Sequence, residues 1–207
     1  GYKSKSQGFN PGTASATASQ VYDAKGNLTT DRYKGTTITY NHLNLPTKIQ
    51  WTASRYIDFL YDAAGTKLRK TVYDAGVITY VQDYVGGVEY RQTGAAGTKR
   101  VESIFHDEGR VYNLNVNSSN TESLRWEFSI KDHLGNTRLT FTDKDNDGVI
   151  DVTNNATTNE ILQENQYYPF GLALNGPWMN DNALDNRYQY NGKELNEDFG
   201  LGLYDYG

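Results

Sequence analysis

Tyr56-Ile-Asp-Phe-Leu-Tyr-Asp-Ala-Ala-Gly-Thr-Lys-Leu-Arg-Lys-Thr-Val-Tyr73 holds two β-type alternating runs joined by Asp62-x-x-Gly65. An Asp that opens a turn accepts a hydrogen bond from the backbone two residues on, and the Gly supplies the left-handed φ that closes it. A type I turn followed by such a residue gives a hairpin with a G1 bulge, whose twist suits paired strands. The same cassette, or a close variant, starts at Asp23, Asn41, Asp62, Asp83, His106 and Asp132, so successive starts lie 18 to 26 residues apart. A unit of two strands of ~6–8 residues and tight turns has about that length. Asn44 stands in for Gly in the second cassette, and Asn tolerates left-handed φ better than other side chains. His106 is the poorest opening residue of the six.

Working outward, Thr36–Tyr40, Val77–Val81 and Leu124–Ile130 alternate in the same way, the last with Leu124, Trp126, Phe128 and Ile130 on one face. No long stretch shows helical spacing of apolar residues. The composition agrees: 37% of the 207 residues are hydrophobic, but 17 are Tyr, 7 Phe and 3 Trp. Tyr favours pleated surfaces and tolerates a wetted face. The expected class is all-β, a series of antiparallel hairpins.

Charge narrows the function. The net charge is −5 with both signs dispersed, so no basic stripe exists to neutralise phosphates and nucleic acid is not expected as a partner. No apolar run approaches the ~20 residues that span a bilayer, and Gly1–Gln20 lacks the apolar stretch of a secretory signal. With no Cys, thiolate catalysis, disulfides and Cys-type zinc sites are excluded. Residues 1–19 are rich in Gly, Ser, Thr and Ala and read as a linker-like segment, and 20–125 hold the repeating hairpins. In 126–207, Pro169, Asn175-Gly176, Pro177 and Asn191-Gly192 predict short strands wrapped in loops. The chain ends at Tyr206-Gly207 within a β-type pattern and reads as a piece of a longer polypeptide.

One motif carries metal chemistry. Asp143-Lys-Asp145-Asn-Asp147-Gly148-Val149-Ile-Asp151 places carboxylates at alternate positions, a Gly sixth and an acid ninth, as in the first part of a calcium loop. Asp143, Asp145 and Asp147 would give side-chain oxygens, Val149 its carbonyl, and Asp151 a direct or water-bridged ligand to Ca2+. The twelfth position is Asn154 rather than Glu, and no helical pattern flanks the motif. The bland alternative is an acidic hairpin tip kept soluble by charge.

Other candidates are thin. His42, His106 and His133 all fall in expected turns, and no Gly-x-Ser-x-Gly elbow occurs. The carboxylate pairs Glu194/Glu197 and Asp181/Asp185 are unremarkable in loops this acidic. Gly86-Gly87 and Gly94–Gly97 lack the helix and Lys of a phosphate loop. Exposed aromatics on a sheet suit stacking against sugars, but cross-strand ladders that hold a single curved sheet together are the favoured reading. No catalytic residue is expected, and the chain reads as non-enzymatic.

Four closing peptides point to a family. Asp132-His-Leu-Gly-Asn-Thr-Arg138, Tyr167-Tyr-Pro-Phe-Gly171, Tyr188-Gln-Tyr-Asn-Gly-Lys-Glu-Leu195 and Gly202-Leu-Tyr-Asp-Tyr-Gly207 occur in that order. Upstream stand Tyr22-Asp23, Tyr61-Asp62 and Tyr73-Asp74, each followed by Gly. Together these resemble the Rhs/YD-repeat proteins, and in 126–207 their repeat-associated core of the Bacteroidetes type. The resemblance implies a curved or spiralling sheet that forms part of a hollow β-shell. It further implies secretion or display by a bacterium and enclosure of a C-terminal toxin or effector segment of the same polypeptide. Remaining YD-repeat segments would complete the shell. The family's Asp-Pro-containing autocleavage stretch has no counterpart here, so the chain reads as truncated before it. The alternatives are a surface adhesin or carbohydrate-binding β module with glycan partners, and part of an autoprotease completed downstream.

Overall fold

The computed structural model describes residues 20–174 and 186–206. The linker-like segment 1–19, Asn175-Gly176, Pro177, the Asp181/Asp185 pair and Gly207 lie outside the described residues. Among the described residues, thirteen strands form one antiparallel sheet in strict chain order, and two more form a separate pair. Helix among the described residues is confined to two 3-10 turns, Pro169–Gly171 and Asp198–Gly200. The chain is all-β and built of serial hairpins, as the cassettes predict. No helix among the described residues is long and apolar enough to cross a membrane.

The chain divides into two compact units. The first, mainly 20–102, holds β1 (Val21–Tyr22), β2 (Leu28–Asp31), β3 (Thr36–Tyr40), β4 (Pro46–Thr52), β5 (Arg55–Tyr61), β6 (Lys67–Asp74), β7 (Val77–Val85) and β8 (Val88–Thr93). Much of its apolar core is one cross-strand row: Ile38 pairs Ile49, Ile49 pairs Ile57, Ile57 pairs Val72 and Val72 pairs Tyr80. Ile57 is 0% and Val72 1% exposed. The next row on the same face begins with the buried Phe59, which pairs Lys70, and is otherwise polar. Lys70, 1% exposed, pairs Gln82, whose amide donates to Glu89 at 3.0 Å and also to Glu102. Arg91 lies 3.6 Å over the Tyr80 ring and joins Glu102 at 3.4 Å, so the buried charges are partnered. On the opposite face Tyr56 and Tyr73 stack at 4.3 Å, a cross-strand rung.

The second unit, Ser103–Leu114 with Thr121–Tyr206, holds the end of β9 (Lys99–His106), then β10 (Gly109–Asn113), β11 (Leu124–Lys131), β12 (Thr137–Phe141), β13 (Ile161–Glu164), β14 (Leu195–Asn196) and β15 (Leu203–Tyr204).

Four of the six cassettes fold identically. At Asp62, Oδ1 accepts the N–H of Ala64 at 2.9 Å and of Thr66 at 2.8 Å. The Gly65 N–H donates to the Asp62 carbonyl at 3.2 Å, and the Asp62 N–H to the Thr66 carbonyl at 3.0 Å. Asp23, Asn41 and Asp132 repeat all four bonds. The fourth residues, Gly26, Asn44, Gly65 and Gly135, all have left-handed φ, from 62° to 90°. Each turn carries a bulge beside it, where Tyr22 pairs Leu28, Tyr40 pairs Pro46, Tyr61 pairs Lys67 and Lys131 pairs Thr137.

The tyrosine before the turn has its own task. Tyr40 Oη donates to the Leu28 carbonyl at 2.9 Å, and Tyr61 Oη to the Pro46 carbonyl at 3.1 Å. Both carbonyls sit at the bulge of the preceding turn, where a ladder is disrupted and a backbone group needs a partner. Tyr40-Asn41 and Tyr61-Asp62 therefore do two jobs each: the Asx residue closes its own turn and the Tyr ties it to the previous one.

The other two cassettes differ. Asp83 lies inside β7, paired with Tyr90, and its carboxylate is held by Arg69 at 2.5 Å and by Lys99. Burial works against that charge, but the two cations outweigh it and lower the carboxyl's pKa. With Asp83 so engaged, the chain turns later, at Gly86-Gly87, both of positive φ, between the paired Val85 and Val88. His106 is the last residue of β9 and pairs Gly109 across a two-residue turn. Tyr73-Asp74 likewise precedes a two-residue turn, with Asp74 bound to Arg55 at 2.8 Å.

Hydrogen bonds hold the turn carboxyls below the ordinary range, led by the Asn27 side chain at Asp23, the Thr66 N–H at Asp62 and the Asn136 side chain at Asp132. A depressed carboxyl stabilises the fold fully above its unfolded value of ~3.9, and that stabilisation is lost as pH falls through the folded value. Asp62→Asn, which copies the natural Asn41, is expected to melt near wild type at pH 7 and to lose less stability on acidification. Asp62→Ala is expected to lower the urea midpoint at both pH values. Tyr61→Phe is expected to cost about 1 kcal/mol in urea unfolding, the worth of one hydrogen bond.

Candidate functional site

The four closing peptides converge. Thr137 N–H donates to the Gln189 carbonyl at 2.7 Å and Thr137 Oγ1 to the Tyr188 carbonyl at 2.9 Å. Asn136, which braces Asp132, also accepts the Asn191 N–H at 2.9 Å. Tyr167 Oη donates to the Thr137 carbonyl at 2.7 Å, the same bulge position that Tyr40 and Tyr61 serve in earlier turns. Burial, and then the nearby Tyr204, push the Tyr167 phenol far above its ordinary value, so it stays a donor. Burial and Glu197 do the same at Tyr204. Tyr190 meets Tyr167 at 5.6 Å and Tyr204 at 5.8 Å between ring centres. A Cβ on Gly171 would lie 2.7 Å from the Tyr190 ring, and Gly171 also has φ +85°, so Gly is required there twice over. These peptides thus form one hydrogen-bonded cluster of tyrosines and amides.

Beside this cluster the strands of the second unit invert the usual pattern. Arg110, Glu127, Thr140 and Gln163 are buried. Arg110 Nη2 lies 2.8 Å from Glu127 Oε2, and Asn186 Nδ2 donates to Glu127 Oε1 at 2.8 Å. Asn186 N–H in turn donates to Gln163 Oε1 at 2.9 Å. The expected alternation in β11 is present, but its apolar side is the exposed one: Trp126 is 58% and Ile130 52% exposed, while Glu127 is 1%. Register extends this face across Ile104, Val111 and Trp126 in one row and Phe128, Phe141 and Ile161 in the next.

The acidic loop joins β12 to β13. Asp143, Asp145 and Asp147 each offer a carboxylate oxygen within 4.8 Å of the others. Local bonds shape it: Asn146 N–H reaches Asp143 Oδ1 at 2.6 Å, Gly148 N–H reaches Asp143 Oδ2 at 3.0 Å, and Val149 N–H reaches Asp147 Oδ1 at 2.8 Å. Asp145 accepts the Asp147 N–H, which favours its charge. Burial and the carboxylates of Asp147, Glu160 and Asp143 outweigh that and raise its pKa. Hard oxygens so placed suit a divalent cation of the calcium type, whose charge would relieve this repulsion. Asp151 lies outside the group of three. Its N–H is bound at 2.9 Å by Glu160, which also accepts the Lys144 N–H and so clamps the loop at both ends. Those backbone bonds, from Asp151 first and then Lys144, hold the Glu160 carboxyl below its ordinary range. Glu160 is 2% exposed, and no spacing in the sequence marks it.

With this geometry in hand, comparison with solved structures is informative. The chain shares the fold of one stretch of several Tc-toxin structures. It is similar to the crystal structure of TcdB2-TccC3 without its hypervariable C-terminal region (TM-score 0.65, 20% identity). It is similar also to TcdB2-TccC3-Cdc42 (0.64, 19%) and to the Photorhabdus luminescens Tc holotoxin pore (0.66, 18%). Each match covers 90% of this chain and 9% of the other, so the chain spans about a tenth of the length of these Tc-toxin chains. No protein-family model and no curated protein matches it. At such identities the likeness carries the fold and nothing finer.

The remaining expected candidates place as follows. His42 and His133 lie in the Asn41 and Asp132 turns, and His106 packs against Trp126 at 5.2 Å. Glu194 is buried and pairs Arg187 at 3.3 Å, apart from any metal-type group among the described residues. No motif marks the Arg110–Glu127–Asn186 network, because its members are far apart in sequence. Glu127→Ala is expected to destabilise by about 3–5 kcal/mol in chemical unfolding, since it strands the buried Arg110. Gly171→Ala is expected to lower the melting temperature more than Gly192→Ala, which meets no atom within 4 Å.

Proposed function

We propose that this chain is a non-enzymatic wall segment of an Rhs/YD-type shell, and that the assembled shell encloses a C-terminal effector segment of the same polypeptide. The observation that carries this reading is the convergence of the four closing peptides into one cluster at the end of a serial hairpin sheet. Motifs that resemble the repeat-associated core are thereby given a structural reason to occur together. A Tc-toxin structure solved without a hypervariable C-terminal region supplies the parallel for a variable segment beyond such a sheet. On this reading 20–125 are wall hairpins, 126–207 are the core of the Bacteroidetes type, and the parent protein is secreted or displayed at a bacterial surface. Continuous backbone ladders suit containment, because within the thirteen-stranded sheet every strand except β1 and β13 has a hydrogen-bonded neighbour on both sides.

The test is limited proteolysis of the full-length parent. The segment downstream of residue 207 is expected to co-purify with the wall and resist protease until the shell is unfolded. A downstream segment digested as fast as the same segment expressed alone overturns the reading.

The acidic loop is proposed to take Ca2+ through Asp143, Asp145 and Asp147, with Val149 and Asp151 as the outer positions of the motif. Calcium at millimolar concentration is expected to raise the melting temperature relative to chelator, and Asp145→Asn to remove the difference. Superimposable melting curves in calcium and chelator exclude the site.

A further inference from the structure

The exposed aromatic face of β11 and the acidic loop meet at a cavity of about 540 Å³, lined by Ser123, Leu124, Arg125, Trp126, Phe128, Asp143, Lys144 and Asn146. Its apolar wall is built of near-parallel aromatic rings. The Trp126 and Phe128 rings lie 13° from parallel with centres 6.3 Å apart, and Phe141 continues the run 5.7 Å from Phe128. Its other wall is polar and only partly committed within the protein. The Ser123 hydroxyl and the Asn146 side-chain amide have no partner among the described residues. Asp143 accepts two backbone N–H groups and keeps lone pairs to spare.

We infer that this cavity is a saccharide site, in which Trp126 and Phe128 take the C–H face of a neutral pyranose and Asn146, Ser123 and Asp143 hydrogen-bond its hydroxyls. A pyranose presents an apolar face and a polar edge at once, and that is the combination the two walls require. An apolar peptide would cover the rings but bury Asp143 beside groups that cannot bond it, at a desolvation cost. An anionic ligand or a nucleic acid would meet three clustered carboxylates. A large exposed ring such as Trp126, braced by stacking, binds with little ordering cost. The inference is independent of the shell reading, since it concerns a surface within one unit of the chain.

Saturation-transfer NMR with cellohexaose, chitohexaose and maltohexaose, in calcium and in chelator, tests it. At least one series is expected to bind with saturation concentrated on ring C–H protons. Trp126→Ala is expected to weaken binding at least tenfold, Asn146→Ala several-fold, and Trp126→Tyr to retain it. Trp51→Phe, in the other unit, serves as the control and is expected to leave binding unchanged. No binding by any of the three sugars in either buffer overturns the inference, as does binding that survives Trp126→Ala in a protein with an unaltered melting temperature.

Discussion

A side-chain oxygen that closes its own turn is the constraint on which this structure rests. One Asx oxygen collects two backbone N–H groups, the turn gains a bulge, and the bulge leaves a carbonyl for the next tyrosine to find. The cycle repeats without an apolar core of ordinary size. Among the described residues, fully buried positions are polar more often than apolar, and the ladder carries much of what packing supplies elsewhere. Such a construction extends by adding hairpins, since each unit needs chiefly its predecessor.

The same device marks where the repeat changes character. At the Asp132 turn the bulge carbonyl belongs to Thr137, and the donor is Tyr167 from a peptide thirty residues on rather than a tyrosine in the next cassette. Thr137 and Asn136 also engage the segment 188–191. The local rule is therefore kept while its partner becomes distant, and that substitution turns a serial sheet into a cluster. Gly171 and Tyr190 show how tightly the arrangement is specified, since no side chain fits between them.

Burial in the second unit is divided in an unusual way. An ion pair and two amides occupy the covered side of β11, while Trp126, Phe128 and Ile130 stand on the open side. Buried pairs of this kind contribute little net stability, but they fix one arrangement because any misfit leaves a charge unpaired. Glu160 acts similarly on the acidic loop, binding both of its ends so that three carboxylates stay close despite repulsion.

Turn chemistry is local, and for that reason much of the fold was legible in the chain. Asp23, Asn41, Asp62 and Asp132 turn as their own neighbours dictate, and alternation sets which residues share a face. The failure at Asp83 has a non-local cause, since Arg69 and Lys99 hold its carboxylate from other strands, whereas at His106 the departure is local and pairing with Gly109 across a two-residue turn keeps His106 in its strand. The acidic motif was visible as spacing, whereas Glu160 was not, because its role depends on a strand pairing that no local pattern encodes. Sequence alone determined the hairpin series and the peptides that resemble a shell-forming family. Only tertiary structure decided which side of β11 is covered, since alternation fixes two faces but long-range partners such as Asn186 choose between them.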